Sequence, residues 1–273
     1  MKTFNRVFTV IVFLFLYIPM IVLAVASFNA GTDIAVWKGF TFAQYGALFR
    51  DGVLLPLLAN SVIVAVIASL VATVLGTMAA IGIRAMSGRM RRITMAVTNI
   101  PLTNPEIVTG VSLALLFAFA GQMMKLNNVL GFTTLLIAHI TFCLPYVIFN
   151  VTPKLKQLDI KLYEAALDLG CDPRQAFFKV ILPEISPAIL SAFLICLTYS
   201  IDDFMISYFN CGTMQTLPIA IYSMTRKKVS PEINALSAII FLVILAIILT
   251  SNAMDSRAYK RNQKAIRRAA AEQ

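Results

Sequence analysis

Three carboxylates fall inside long apolar runs of this sequence: Glu106, Asp202 and Asp203. An ionised carboxylate in hydrocarbon costs several kcal/mol unless it faces a water-filled cavity or a partner. Neither run holds a Lys or Arg. Unpaired acids of this kind suit a path for a cationic passenger. Asp202 and Asp203 lie in the outer part of their run and point about 100° apart if helical. One is expected to face the path, and the other a structural contact or the vestibule. Tyr199 lies one turn before Asp203, and an aromatic face adds about 0.5–2 kcal/mol to cation binding. Trp37, Tyr45 and Tyr208 stand near the same outer half, where aromatic residues also serve as an interfacial belt. Glu106 has a second reading. Pro101 and Asn104-Pro105 break its segment, Asn104 caps a new helix with Pro105 at its first position, and Glu106 then complements the helix dipole.

Other chemistry is poorly represented. Cys143, Cys171, Cys196 and Cys211 are scattered, with no metal-type spacing. His139 is the sole histidine and lies in an apolar run. It reads as a helix-packing donor, with a proton relay as the alternative. No residue set is expected to hold a metal, and no catalytic residue is assigned.

The elements that must position these groups follow from composition. The 273 residues are 59% hydrophobic and 13% charged, against about 25% charged in a soluble domain. Mean hydropathy is +0.82. A spanning helix needs about 20 apolar residues. Six stretches qualify: Val7–Phe28, Leu57–Ile83, Ile93–Phe119, Phe132–Val151, Ser186–Phe209 and Ala235–Met254. The first outlasts a signal-peptide core and is read as a retained span. Small residues recur every fourth position in the second, in two stripes. One runs through Ser61, Ala65, Ser69, Thr73 and Thr77, the other through Ala68, Ala72, Gly76 and Ala80; both permit close helix packing.

The net charge of +10 marks orientation rather than nucleic acid. Lys2, Arg6, the Arg84–Arg92 connection, the Lys154–Lys179 connection and the tail from Arg257 to Arg268 hold most of the Lys and Arg. Only Lys38, Arg50, Lys125, Arg226, Lys227 and Lys228 fall on the other side. The positive-inside rule puts both termini and the 153–185 loop in the cytoplasm. The organisation expected is an all-α membrane domain, 1–254, with a basic cytoplasmic tail, 255–273, that can meet anionic lipid.

The loop is ordered in its own right. Leu158–Leu169 forms an amphipathic helix with Ile160, Tyr163 and Leu167 on one face. Gly170 is a natural left-handed C′ residue. Asp172 caps a second helix, with Pro173 at N1 and Gln175 at N3, and Pro183 stops it. Ala165-Ala166 keeps the first helix slim for close contact. A DNA-binding helix-turn-helix has this shape, but the unit is pinned between two spans. A plain structural loop and a docking element for a cytoplasmic partner remain.

The spacing Glu164-Ala165-Ala166, then Gly170, then Val180-x-Leu182-Pro183 resembles the EAA loop of ATP-binding-cassette (ABC) importer permeases, with Val180 where that family prefers Ile. The resemblance implies a type I ABC importer permease fold of about six transmembrane helices in the bacterial inner membrane. It also implies that Glu164, Ala165, Ala166 and Gly170 meet a separate ATPase. No G-x-x-x-x-G-K-[ST] occurs in the chain, so ATP and Mg²⁺ are expected on the partner ATPase and the chain itself to be non-catalytic. The stretches 17–29, 37–45, 139–147, 200–207 and 217–236 further resemble the permeases of spermidine/putrescine importers, with Gln44 where Trp is usual and Glu106 where Asp is often found. That implies a dimer of ATPases, a second, homologous permease, an extracytoplasmic polyamine-binding protein and a polyamine cargo passing Glu106, Asp202, Asp203 and Tyr199. The competing functions are the same machine with another solute, such as thiamine or ferric iron, and a self-sufficient channel or secondary transporter.

Overall fold

The computed structural model describes residues 2–31, 36–50, 52–126, 128–226, 233–246 and 249–250. The tail residues 255–273, Lys227, Lys228 and the end of the sixth expected span lie outside them. Helices make up most of the described chain, and the one extended pairing among these residues is a bridge between Asn29 and Phe40. Two compact units are present, one formed by Met1–Leu58 with Ala220–Ala246, the other chiefly by Ala59–Ile219.

The first unit holds α1 (Lys2–Ala26), α2 (Ala43–Arg50) and the apolar α12 (Ile233–Ala246). Pro19 lies inside α1 without ending it. The connection after α1 is organised by the buried Asn29. Its Oδ1 accepts from the Gly31 and Lys38 amides at 3.1 and 2.9 Å, and its Nδ2 donates to Val36 O at 2.9 Å. Tyr45 shares a 2.7 Å hydrogen bond with Ser27, and Trp37 lines an apolar cavity with Tyr17 and Phe28. Both aromatics thus have structural work of their own.

The second unit holds α3 (Leu54–Ala85, from Ala59 on), α4 (Gly88–Thr103), α5 (Glu106–Met123), α6 (Phe132–Gln157), α7 (Ile160–Asp168), α8 (Pro173–Ala176), α9 (Leu182–Asp202) and α10 (Met205–Asn210). α11 (Leu217–Thr225) begins in this unit and belongs to the first from Ala220 on. Both small-residue stripes of α3 are buried, from Ser61 to Thr77 and from Ala68 to Ala80. The core is the α6–α9 seam: Ala138, Phe142, Cys143, Val147 and Val151 pack with Ile185, Ala192 and Cys196. There each of two thiols approaches the other helix's backbone, Cys143 Sγ to Cys196 O and Cys196 Sγ to Cys143 O. So intimate a crossing requires small side chains, which is why cysteine acts here as a compact hydrophobe.

Among the described residues, five helices are long and apolar enough to cross a membrane: Phe4–Ala26, Leu54–Ala85, Glu106–Met123, Phe132–Gln157 and Pro173–Asp202. The sixth expected span is represented by the shorter α12. Three expectations are corrected. The third expected span breaks at Asn104-Pro105 as expected, but Pro101 sits inside α4 rather than breaking it. At that break Asn104 ends α4, its amide bonded to Ile100 O, and Pro105 takes the cap position that Asn104 was expected to fill. Pro183 does not stop the second loop helix, which continues into α9. The segment Phe177–Ile181 widens to a π turn, with Leu182 N–H donating to Phe177 O. Proline lacks an amide and crowds the carbonyl four residues back. A widened turn just before it shifts the bonding pattern and lets the helix pass.

Candidate functional site

The fifth expected span breaks where its acids lie. α9 ends at Asp202, and Asp203 takes extended backbone angles (φ −62°, ψ 123°) before α10 begins. The break divides the pair. Asp202 is exposed, whereas Asp203 is 6% exposed. The Asp203 carboxylate is occupied by the start of α10: Oδ2 accepts from Ser207 N–H at 2.8 Å and Oδ1 from Ile206 N–H at 3.3 Å. Capping through a carboxylate satisfies amides that a helix start otherwise leaves orphaned. Of the two expected partners, Asp203 is thus the structural contact and Asp202 the free carboxylate.

His139, 1% exposed, reaches this break from α6. Its Nδ1 lies 2.6 Å from Ser200 Oγ, its Nε2 3.0 Å from Ser207 Oγ and 3.6 Å from Asp203 Oδ2. The packing-donor reading of His139 therefore holds. Asn210 fixes the other end of α10, donating to Gly110 O at 3.1 Å and to Ile206 O at 2.9 Å. A side chain on Gly110 would press on the α10 backbone, its Cβ 3.1 Å from Met205 O. Glycine there lets α5 and α10 touch.

Glu106 is the first residue of α5 and is exposed. It lies within electrostatic reach of Asp202 and Asp203, and these acids stand at two helix interruptions, at 104–105 and 203–204. Tyr199, 44% exposed, stacks at a tilt on Tyr146 of α6, centroids 4.8 Å apart. Tyr146 in turn lies within reach of Glu106. Among the described residues no Lys or Arg is paired with Glu106 or Asp202. Two free carboxylates beside two phenol rings make a surface that favours amines and offers an anion nothing. Tyr146, Ser200, Ser207 and Asn210 were missed by sequence reasoning. Tyr146 had a signal, since it lies two helical turns after His139 on the same face. The serines had none, because their partner stands on a different helix.

The loop is the second candidate surface. Asp159 caps α7 by accepting from Lys161 N–H at 3.0 Å. The helix ends in a Schellman motif. Cys171 N–H donates to Ala166 O at 3.0 Å and Gly170 N–H to Leu167 O at 2.9 Å, with Gly170 at φ +89°. That angle favours glycine. Asp172 caps α8 by accepting from Gln175 N–H at 2.8 Å, as expected. Glu164, Ala165 and Gly170 are exposed and Ala166 is buried, so the alanine pair splits between an outward and an inward face. Ile160, expected with the inner set, is 49% exposed, and Leu169 and Phe178 are 86% and 63% exposed. Lys154 on α6 and Glu184 on α9 pair at 3.2 Å beside the loop, and Arg84 donates to Leu155 O.

Comparison with known proteins places these features. The family model described as "Binding-protein-dependent transport system inner membrane component" matches residues 72–261. The chain is 36% identical over 260 residues to the putrescine transport system permease protein PotI of Escherichia coli (strain K12), covering 94% of this chain and 92% of that protein. It is 37% identical over 248 residues to the spermidine/putrescine transport system permease protein PotC of Haemophilus influenzae, covering 90% and 94%. Among solved structures, it resembles a chain of a bacterial alginate ABC transporter in complex with an alginate-bound periplasmic protein. There the TM-score is 0.71 at 17% identity, with 94% of each chain covered. A chain of the MetNI methionine ABC transporter gives 0.59 at 16% identity, covering 74% and 94%. These structural likenesses carry the fold, that of a type I ABC importer permease.

Proposed function

Because this chain belongs to the family of inner-membrane components of binding-protein-dependent transport systems, we propose that it is one permease subunit of an ATP-driven polyamine importer. It is non-catalytic and lies in the inner membrane. Its cargo class is that of its relatives, putrescine and spermidine. A second, homologous permease completes the path, an extracytoplasmic binding protein delivers the polyamine, and a pair of ATPase subunits supplies the energy, with ATP and Mg²⁺ held there. The domain 1–254 forms the path. Both termini and the loop face the cytoplasm, where the basic residues of 255–273 can meet anionic lipid.

The single observation that carries the cargo reading is the pair of free carboxylates, Glu106 and Asp202, set at two helix breaks beside Tyr146 and Tyr199. A polyamine presents ammonium groups separated by methylene chains, and alternating acids and aromatic faces complement both parts. Weak, multiple contacts serve transport, since a tight site traps its cargo. The exposed helix–turn–helix at Ile160–Ala176, with Glu164 and Gly170 on it, supplies the second half of the mechanism. Its backbone bonds are closed within the loop, so it can press into a partner as a rigid piece, and it leads through the unbroken π turn into α9 and on to Asp202. Closure of the ATPases on ATP moves the loop, and the motion reaches Asp202 along one helix.

The test is uptake of labelled putrescine by proteoliposomes that hold this chain, its partner permease and the binding protein, with and without the ATPase. Uptake that needs both the ATPase and ATP, and that unlabelled spermidine competes but thiamine does not, is the expected result. Uptake without the ATPase overturns the powered reading. Competition by thiamine or ferric iron, and none by spermidine, overturns the cargo.

A further inference from the structure

One polar network in the described chain touches no exposed surface. Ser200, His139, Ser207 and Asp203 are each 6% exposed or less, and they link α9, α6, α10 and the break between α9 and α10. Hydrogen-bond bookkeeping gives the network a direction. Asp203 Oδ2 lies 3.6 Å from His139 Nε2, and a carboxylate accepts, so Nε2 is the ring nitrogen that carries the hydrogen. Ser207 Oγ, 3.0 Å away, accepts from that Nε2–H, and the Ser207 amide donates to Asp203 Oδ2 at 2.8 Å. That leaves Nδ1 as the acceptor for the Ser200 hydroxyl at 2.6 Å. The chain therefore runs from Ser200 through the imidazole and Ser207 to Asp203, and one neutral tautomer satisfies every member. A buried network of this kind rigidifies when fully satisfied and is costly when partly so.

Its position decides what that rigidity does. Ser200 and Ser207 lie on opposite sides of the interruption at Asp203–Phe204, and the His139 ring bonds to both. Tyr199 precedes Ser200 in the sequence, and Asp202 precedes Asp203. We propose that His139 is the positioning residue of the pathway: it clamps the two sides of the helix break through Ser200 and Ser207, and so sets where the Asp202 carboxylate and the Tyr199 ring stand. The inference rests on the pathway reading of Asp202 above. His139 itself does not meet the passenger.

A clamp that places a transport group differs from a buried contact that merely keeps the chain folded. Loss of fold lowers transport and ATP hydrolysis together, in proportion to the complex recovered. Loss of placement lowers cargo delivered per ATP. The experiment uses the complete importer in proteoliposomes with labelled putrescine, and reads both putrescine delivered and ATP hydrolysed per assembled complex. His139→Ala is expected to cut putrescine per ATP about tenfold, the scale of one lost buried hydrogen-bond partner. ATP hydrolysis per complex stays within about twofold of wild type. His139→Gln, whose amide can both donate and accept, restores most of the ratio. Ser207→Ala, a smaller change to the same chain, reproduces the uncoupling and carries the test if His139→Ala does not assemble. An unchanged ratio in either assembled alanine variant overturns the proposal. Asp202→Asn is run in parallel. If it uncouples while both alanine variants stay coupled, the clamp falls and the pathway reading stands. If Asp202→Asn behaves as wild type, the pathway reading fails and the clamp with it.

Discussion

Two aspartates do the same local job in this chain in opposite surroundings. Asp172 caps α8 in the exposed loop, and Asp203 caps α10 in the buried break, each with a 2.8 Å bond from a backbone amide. Around Asp172 the bonds run to residues a few positions away. Around Asp203 they reach across the fold, and His139 arrives from 64 positions earlier in the sequence by way of α6. The loop is therefore a self-contained part that can be moved as a piece. The break is held open by tertiary contacts, and its geometry changes when the helices around it move. A transporter needs one region of each kind: a stiff one to receive force, and one whose side-chain placement responds to it.

Substitutions can break or sharpen that contrast. Asp203→Ala should have the largest effect. It strands the Ser207 and Ile206 amides in a buried site and removes the carboxylate beside His139, at a cost of about 3 kcal/mol. Thermal denaturation of the purified complex should show a clear drop in stability, and an unchanged midpoint would mean that the break does not depend on its cap. Glu164→Lys should leave stability alone and weaken association with the ATPase at least about tenfold, roughly 1.4 kcal/mol. Co-purification of the ATPase at wild-type yield would remove the docking role of the loop. Gly170→Ala forces a side chain into a left-handed turn and should cost about 1 kcal/mol. Its effect should show as a several-fold loss of ATP-driven uptake with the membrane helices still assembled. Asp172→Ala should be mildest, about 1 kcal/mol or less for an exposed cap, read as faster amide exchange in the 172–176 turn. An Asp172→Ala defect as large as that of Asp203→Ala would erase the difference between the two regions.

The same contrast explains which parts were legible in the sequence. The loop was readable because its determinants are local: Gly170 after an amphipathic run, then Asp172-Pro173. Both were placed correctly, and the Schellman turn and the cap follow from them. The expected stop at Pro183 failed because a π turn upstream absorbs the missing amide, and nothing in residues 177–181 announces the widened bonding. The acids were recognisable as anomalies in apolar runs, but their division of labour was not. Adjacent carboxylates differ only in what surrounds them, and the surroundings of Asp203 come from α6 and α10. Glu106 and Asp202 stand within reach of each other at the helix breaks 104–105 and 203–204; the first has a proline to mark it, whereas the second has no proline or glycine at all. Tyr146 was overlooked because, to a count of apolar residues, it is one more ring in a hydrophobic span.

The central claim is that force received at the loop moves a cation past the exposed carboxylates. Uptake of labelled putrescine by the complete importer carrying both Glu106→Gln and Asp202→Asn tests it most directly. Uptake should fall at least about tenfold, while the ATPase remains bound and still hydrolyses ATP. Uptake at the wild-type rate from that assembled complex would contradict the account.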